Sequence, residues 1–326
     1  MVKNTTLVCM DGEQKMKFFK TKIAILILLM YITPCIIGIS FSHKIGEKKI
    51  NVWDSNNKSV IQLNVNDYLI GVVAAEMPVE FETEALKAQA VAARTYLINK
   101  GRCEKNENCD ICTDPGHCQA YKSPTQLKKQ WGSNYYKYYK KVYNAVYSTN
   151  NKIIVYNNQP ISAVFHSTSS GRTENSDDVW SKQLPYLKSV DSNLDVMSPK
   201  YNSQKIFTLE NFHNILSDKK GVNFIDKLIG DITYTTGGSV KTIEIGDKTL
   251  KGTEIRSLFD LNSANFSVEI NNDNVYFNVK GYGHGVGMSQ YGANFMAQNG
   301  DDYIKILKKY YTDTDIVNTD YAYIAK

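Results

Sequence analysis

From Ile23 to Ser42 the chain reads IAILILLMYITPCIIGISFS, with no charged residue. About 20 apolar residues as a helix cross a hydrocarbon core roughly 30 Å thick. The segment is therefore a membrane anchor or an export signal, and everything after it is constrained to fold outside the cytoplasm. Five lysines (Lys3, Lys15, Lys17, Lys20, Lys22) against Asp11 and Glu13 precede it, which by the positive-inside rule keeps the N-terminus cytoplasmic. Gly38-Ile39-Ser40 is a small-x-small site at which a signal peptide could be cleaved. The apolar run exceeds the roughly 7–15 residues of such a signal, so a retained single-pass transmembrane helix is expected. Pro34 before Cys35 makes a poor lipid-attachment site, and Met16 is an alternative start to Met1.

The chain's formal charge of +5 is concentrated before the anchor. Beyond Ser42 the balance is 33 basic against 31 acidic residues. With 42% hydrophobic and 22% charged residues, the composition excludes a disordered, collagen-like or strongly basic nucleic-acid-packing chain. A near-neutral mixed body of short strands and helices, class α+β, is expected behind the anchor.

Four of six cysteines, Cys103, Cys109, Cys112 and Cys118, fall within 16 residues. In an exported protein two disulfides are the default reading. Against it, Cys109-Asp-Ile-Cys112 has the spacing of a metal knuckle, and Thr-Asp-Pro-Gly would turn His117-Cys118 back toward it. Thiolates with an imidazole suit tetrahedral Zn²⁺ in a structural role. The expected ligands are Cys109, Cys112, His117 and Cys118, with Cys103 a rival for the fourth place and a zinc loop at 103–118.

Before this loop a helix is expected with Asn66 or Asp67 as N-cap, ending before Pro78. At about 100° per residue Leu69, Val72, Val73 and Glu76 share one face. A carboxylate thus sits on the apolar side of a last turn, where burial and the negative end of the helix dipole both disfavour ionisation. Such a group can serve as a general acid; the plain alternative is a Glu bent out to solvent. The next helix, Thr83 to about Asn99, stops at Gly101. Leu86, Ala90, Ala93 and Leu97 form its stripe, and Arg94 lies at the stripe's edge, where its guanidinium would emerge at a rim or simply in solvent.

Six tyrosines interleaved with lysines between Gln126 and Tyr147 read as an amphipathic helix packing its aromatic side, with saccharide stacking as a second possibility. Lys152–Tyr156 and Ile161–Phe165 read as a hairpin, followed by the hydroxyl-rich loop His166-Ser-Thr-Ser-Ser-Gly-Arg-Thr-Glu-Asn175. Residues 191–280 differ in texture, with a helix from Leu209 to Leu228 and strand-like SVKTIEIG, FSVEI and VYFNV. They are expected to form an auxiliary unit inserted into a catalytic core made of 43–190 and 281–326. Then comes Gly281-Tyr-Gly-His-Gly-Val-Gly-Met-Ser-Gln-Tyr-Gly-Ala293. No register of its glycines satisfies a dinucleotide or P-loop pattern. A backbone close to a ligand is expected instead, with His284 held among glycines and Ser289 capping a helix that starts with Gln290 and Tyr291.

Four ordered segments, Val73-Ala-Ala-Glu-Met-Pro78, Ala88-Gln-Ala-Val-Ala-Ala-Arg-Thr-Tyr96, His166–Asn175 and Gly281–Ala293, resemble the signatures of the stage II sporulation protein D family, which also includes amidase enhancers. Ser170 stands where that family often has a glycine, and a histidine that often precedes the metal-binding cysteines is absent. The resemblance implies a peptidoglycan lytic transglycosylase that cleaves stem-peptide-free strands to 1,6-anhydromuramoyl products during forespore engulfment. Glu76 would be its catalytic acid/base and Arg94 a position needed for activity. Ser169, His284, Gln290 and Tyr291 are candidates for lining the glycan groove. It further implies a place in the mother-cell membrane facing the forespore, with an amidase (stage II sporulation protein P) and a membrane scaffold (stage II sporulation protein M) as partners. The rival reading is a non-catalytic, glycan-binding enhancer of a cell-wall amidase.

Overall fold

Alternating apolar residues around Asn56-Asn57 build the first hairpin. Strands β1 (Lys49–Asp54) and β2 (Ser59–Asn64) pair antiparallel, Lys49 opposite Asn64 and Asp54 opposite Ser59. The computed structural model describes residues 48–180, 182–224 and 228–319. The expected basic tail at 1–22 and transmembrane anchor at 23–42 lie outside the described residues. Among the described residues no helix is long and apolar enough to cross a membrane.

Helix α1 (Val65–Glu76) begins directly after β2, with Asn64 as N-cap rather than Asn66 or Asp67. It buries Asn66, Tyr68 and Gly71 as well as Leu69, Val72 and Val73, so it is enclosed on nearly all sides, not along a single stripe. Helix α2 (Thr83–Lys100) stops at Gly101, whose φ of 73° is costly for residues with a Cβ. Its alanines admit other helices closely, and each fully buried Leu or Val adds about 1.5–3 kcal/mol. The two-residue strand β3 (Ile111–Cys112) then joins β1 in parallel, Cys112 opposite Trp53.

The tyrosine-rich run is two helices. A capping box of Ser123 and Gln126 starts α3 (Pro124–Trp131), and Gly132 with φ 50° separates it from α4 (Tyr135–Ser148). Val142, Ala145 and Val146 of α4 are buried, while Tyr136 is 77% exposed. Strand β4 (Lys152–Tyr156) turns tightly into β5 (Gln159–Pro160). The expected hairpin partner dissolves after Pro160, and β6 (Phe165–His166) pairs elsewhere. A short helix, α5 (Ser176–Val179), follows.

A second set of elements comprises β7 (Asn202–Thr208), α6 (Leu209–Lys220), β8 (Ile229–Tyr234), β9 (Val240–Ile245), β10 (Lys248–Lys251), α7 (Gly252–Leu258), β11 (Phe266–Asn271) and β12 (Asn274–Lys280). They form two antiparallel sheets, ordered β10-β9-β8 and β11-β12-β7. Helix α6 ends eight residues before the expected Leu228 because Gly221 adopts φ 61° and returns its N–H to the carbonyls of Leu216 and Ser217, a left-handed C-terminal stop.

The chain then returns to the first region through β13 (Met288–Ser289), α8 (Gln290–Gln298), α9 (Tyr303–Tyr310) and β14 (Asp315–Asn318). β13 pairs in parallel with β6, and β14 antiparallel with β4. Helix α2 lies at the centre, touched by α1, α4, α8 and α9. One hydrophobic core gathers on these helices, and a separate one holds Phe212, Phe259, Phe266 and Phe277 between the elements of 202–280. The mixture of short strands and helices is the expected α+β class.

Candidate active site

Glu76 is the last residue of α1. Its Oε1 accepts a 2.7 Å hydrogen bond from the Ala120 N–H. Burial raises its carboxyl above the usual range, with the Ala120 bond opposing that in part. It opens on a cleft of about 320 Å³ also walled by Tyr96, His117, Gln119, Phe165 and His284. Among the described residues lining this cleft Glu76 is the only carboxylate. Gln119 is nearly buried, accepts from the Tyr68 hydroxyl through Oε1 at 3.4 Å, and its Nε2 has no partner within the protein. Tyr96, whose phenol burial pushes up to about 12, donates weakly to the His117 carbonyl at 3.4 Å.

The Ala120 amide is aimed by the cysteine loop. β3 fixes Cys112 to β1, and downstream Lys122 N–H donates to the Gly71 carbonyl at 3.2 Å. A Cβ on Gly71 would overlap the Tyr121 ring, which stacks on Tyr68 at 5.7 Å. That glycine in α1 lets the loop lie flat against the helix carrying Glu76.

Within the loop, ligand atoms of Cys103, Cys112, His117 and Cys118 all lie within 4.8 Å of one another. His117 Nδ1 is 3.9, 3.4 and 3.2 Å from the sulfurs of Cys103, Cys112 and Cys118. Tetrahedral zinc, with Zn–S about 2.3 Å and Zn–N about 2.0–2.1 Å, sets sulfur and nitrogen about 3.6 Å apart, so the donor set fits such an ion. The fourth group of this cluster is Cys103, where Cys109 was expected. The Cys109 thiol turns instead to the backbone carbonyls of Asn106 at 3.1 Å and Cys103 at 3.8 Å. The four described cysteines are free thiols.

The glycine loop approaches its own chain. Gly281, Gly283, Gly285 and Gly287 all have φ between 71° and 118°, and a Cβ on Gly283 or Gly287 would overlap His166 or the Val164 carbonyl. Tyr282 and Thr168 exchange backbone hydrogen bonds, and Glu174 N–H donates to the Gly285 carbonyl. The two motif segments are thus zipped together, and Ser170 fits because Gly171, with φ 103°, makes the turn beside it. His284 does reach the Glu76 cleft. Its Nδ1 accepts from the Val286 N–H at 3.1 Å, and burial pushes its imidazole down to about 4, so it is a neutral wall of the cleft.

Three of the expected groove residues, Ser169, Gln290 and Tyr291, do not line this cleft. Ser169 donates to buried Asp195 at 2.8 Å, which also accepts from Ser192 and Ser289 at 2.5 and 2.6 Å. Gln290 is buried against Gln89 at 3.4 Å. The Tyr291 ring packs edge-on against Phe81 at 4.9 Å. Arg94 does not emerge at a rim: it is fully buried. Its guanidinium donates to the carbonyls of Val146, Thr149 and Lys152 at 3.2, 2.8 and 3.2 Å, tying the end of α4 to the start of β4. Close packing on the alanine stripe drew the whole helix inside, so the arginine found carbonyls in place of solvent.

Sequence reasoning missed Gln119, Tyr96, Asp195 and Glu174. Tyr96 and Glu174 stand inside motifs already singled out, which is the signal that could have found them. Asp195 carries no local signature. Glu174 is 2% exposed and accepts from the Ser239 N–H at 3.2 Å, joining the first region to the second.

A sequence model of the family described as "Stage II sporulation protein" matches residues 54–156. Stage II sporulation protein D of Bacillus subtilis (strain 168) is 40% identical over 94% of this chain and 97% of its own length. The protein of the same name from Bacillus amyloliquefaciens is 44% identical over 83% of this chain and 79% of its own. The amidase enhancer of Bacillus subtilis (strain 168) is 29% identical over 77% of this chain and 40% of its own. The four motifs and likeness along nearly the whole length converge on one conclusion: the chain belongs to the stage II sporulation protein D family.

Proposed function

We propose that this protein is a peptidoglycan lytic transglycosylase acting on stem-peptide-free glycan strands during engulfment. The observation that carries the reading is Glu76: one carboxylate, raised by burial and oriented by Ala120, alone in its cleft. Hydrolysis of a glycosidic bond ordinarily needs two carboxyl groups, the second to activate water or attack the sugar. One suffices if the nucleophile is within the substrate. Glu76 gives its proton to the glycosidic oxygen as the bond to C1 breaks. The muramoyl 6-hydroxyl then attacks C1 and returns a proton to Glu76, leaving a 1,6-anhydro end and a free 4-hydroxyl on the departing strand. Neutral His284 and Tyr96 shape the walls without adding charge.

Glu76→Gln keeps an acceptor for Ala120 but carries no transferable proton. Release of anhydromuramoyl product from peptide-free glycan, measured by mass spectrometry, should fall by about 10²–10⁴-fold with an unchanged melting curve. Undiminished product would overturn the assignment. The likeness to an amidase enhancer supports a second reading, glycan binding that stimulates an amidase. That reading predicts no product from the wild type and full stimulation by Glu76→Gln.

Cys103, Cys112, His117 and Cys118 would hold a zinc ion as a structural cross-link, fixing the loop whose Ala120 amide orients Glu76. Elemental analysis should find zinc lost in Cys103→Ala and kept in Cys109→Ala; equal loss from both would break the choice of fourth ligand. The reading further places the protein in the mother-cell membrane through residues 23–42, working beside stage II sporulation proteins P and M.

A further inference from the structure

A second cleft lies away from Glu76. It measures about 640 Å³, within the range of roughly 300–1,000 Å³ that small-ligand sites occupy, and it lies on the second region. Period-two alternation explains its lining. In β12 Val275, Phe277 and Val279 point into the phenylalanine core, which leaves Asn278 and Lys280 on the opposite face. Register places Gln204 of β7 opposite Asn278 and Asn202 opposite Lys280, so the outer face of the sheet is a row of amides ending in a cation. Asn265 extends it, and Tyr234, 57% exposed, stands at its edge. No carboxylate lines it among the described residues.

This lining has a definite chemical preference. Gln204 donates to Asn278 at 2.7 Å, which orients these two amides, and amide groups, with donors and an acceptor in one plane, match vicinal hydroxyls and acetamido groups. An exposed tyrosine offers an apolar face with a polar tip, suited to the C–H face of a pyranose. No carboxylate among the described residues lines the cleft itself, although Glu269 accepts from Asn278 at 3.4 Å beside it, and a single lysine tolerates a carboxylate such as a muramoyl lactyl group. The cleft also neighbours the first site through shared lining residues. A narrow depression lined by Glu174 and the glycine loop shares Asn265 and Lys280 with it, and shares His284 with the Glu76 cleft.

We propose that the β7–β12 face is a distal saccharide subsite that holds a peptide-free glycan strand several sugars away from Glu76. The ligand class rests on the proposed function above; the groove and its place beside the glycine loop do not. The test is binding, so that turnover does not enter it. Full-length protein in detergent micelles, carrying Glu76→Gln, is titrated with peptide-free glycan strands fractionated by length. Tyr234→Ala should lower the ratio of long-strand to short-strand affinity by about three- to tenfold, and Tyr234→Phe, which keeps the ring, should restore it. An unchanged ratio in Tyr234→Ala overturns the subsite, as does a loss that Tyr234→Phe fails to restore. If Glu76→Gln proves as active as wild type, the catalytic reading fails while a length-dependent loss at Tyr234 still upholds the subsite.

Discussion

The two cores are filled by different chemistry. The interior of 202–280 is phenylalanine and aliphatic, with Phe212 stacked on Phe259 at 5.3 Å and Phe277 beside Phe259 at 5.0 Å. Ser239 and Ser263 are its only buried polar side chains among the described residues. The first region instead encloses Arg94, Asp195, Glu174, His166, Gln89 and Asn66. Burying such groups costs several kcal/mol apiece unless each finds partners, and here several of the bonds have a motif residue at one end. Ser169 and Ser289 satisfy Asp195, and the Ala-Ala-Arg-Thr-Tyr arginine closes three carbonyls. The motifs are therefore mostly the bonding scheme of a polar interior, and only a few of their residues, Glu76, Tyr96 and His284, face the cleft. The second region needs no such scheme, because its stability comes from apolar area, and its sequence carries no motif.

Replacing one residue in each region tests that contrast. Arg94→Ala should have the larger effect, about 3–5 kcal/mol in a denaturant titration, because it leaves buried carbonyls without donors. Hydrogen exchange should rise first in α4 and β4, with β11 and β12 keeping their protection. A loss under about 1 kcal/mol would mean that water replaces the guanidinium, breaking the claim that this interior depends on its motif. Phe277→Leu should cost less, about 1–2 kcal/mol, and raise exchange within 202–280 while the Glu76 cleft still binds glycan. A collapse of both regions together would show that the phenylalanine core supports the first region directly, which the two separate cores argue against.

Local physics made much of this molecule legible beforehand. Pro78, Gly101 and Ser289 mark helix ends because their constraints act within a turn, and the structure places those boundaries within a residue or two. Glu76 was legible because a helix repeats on itself, so a carboxylate spaced with Leu69, Val72 and Val73 must share their side. Other expectations failed where a partner far along the chain decided the outcome. Arg94 sits at a stripe's edge in a helical projection, yet the carbonyls that take it inside are more than 50 residues away. Ser169 was expected to face ligand until Asp195, from a stretch without signature, claimed its hydroxyl.

By itself, the sequence determined an uncharged 20-residue segment ahead of a near-neutral α+β body, a carboxylate on the apolar side of a helix's last turn, and a cluster of thiols with one imidazole. Each follows from spacing along the chain, which short-range geometry converts directly into position. Only the tertiary structure decided that Cys103 and not Cys109 joins Cys112, His117 and Cys118 in one cluster, that Ala120 aims Glu76, and that the glycines serve the chain's own close approach. Those outcomes depend on which distant groups meet, and a buried polar atom goes wherever a partner can satisfy it.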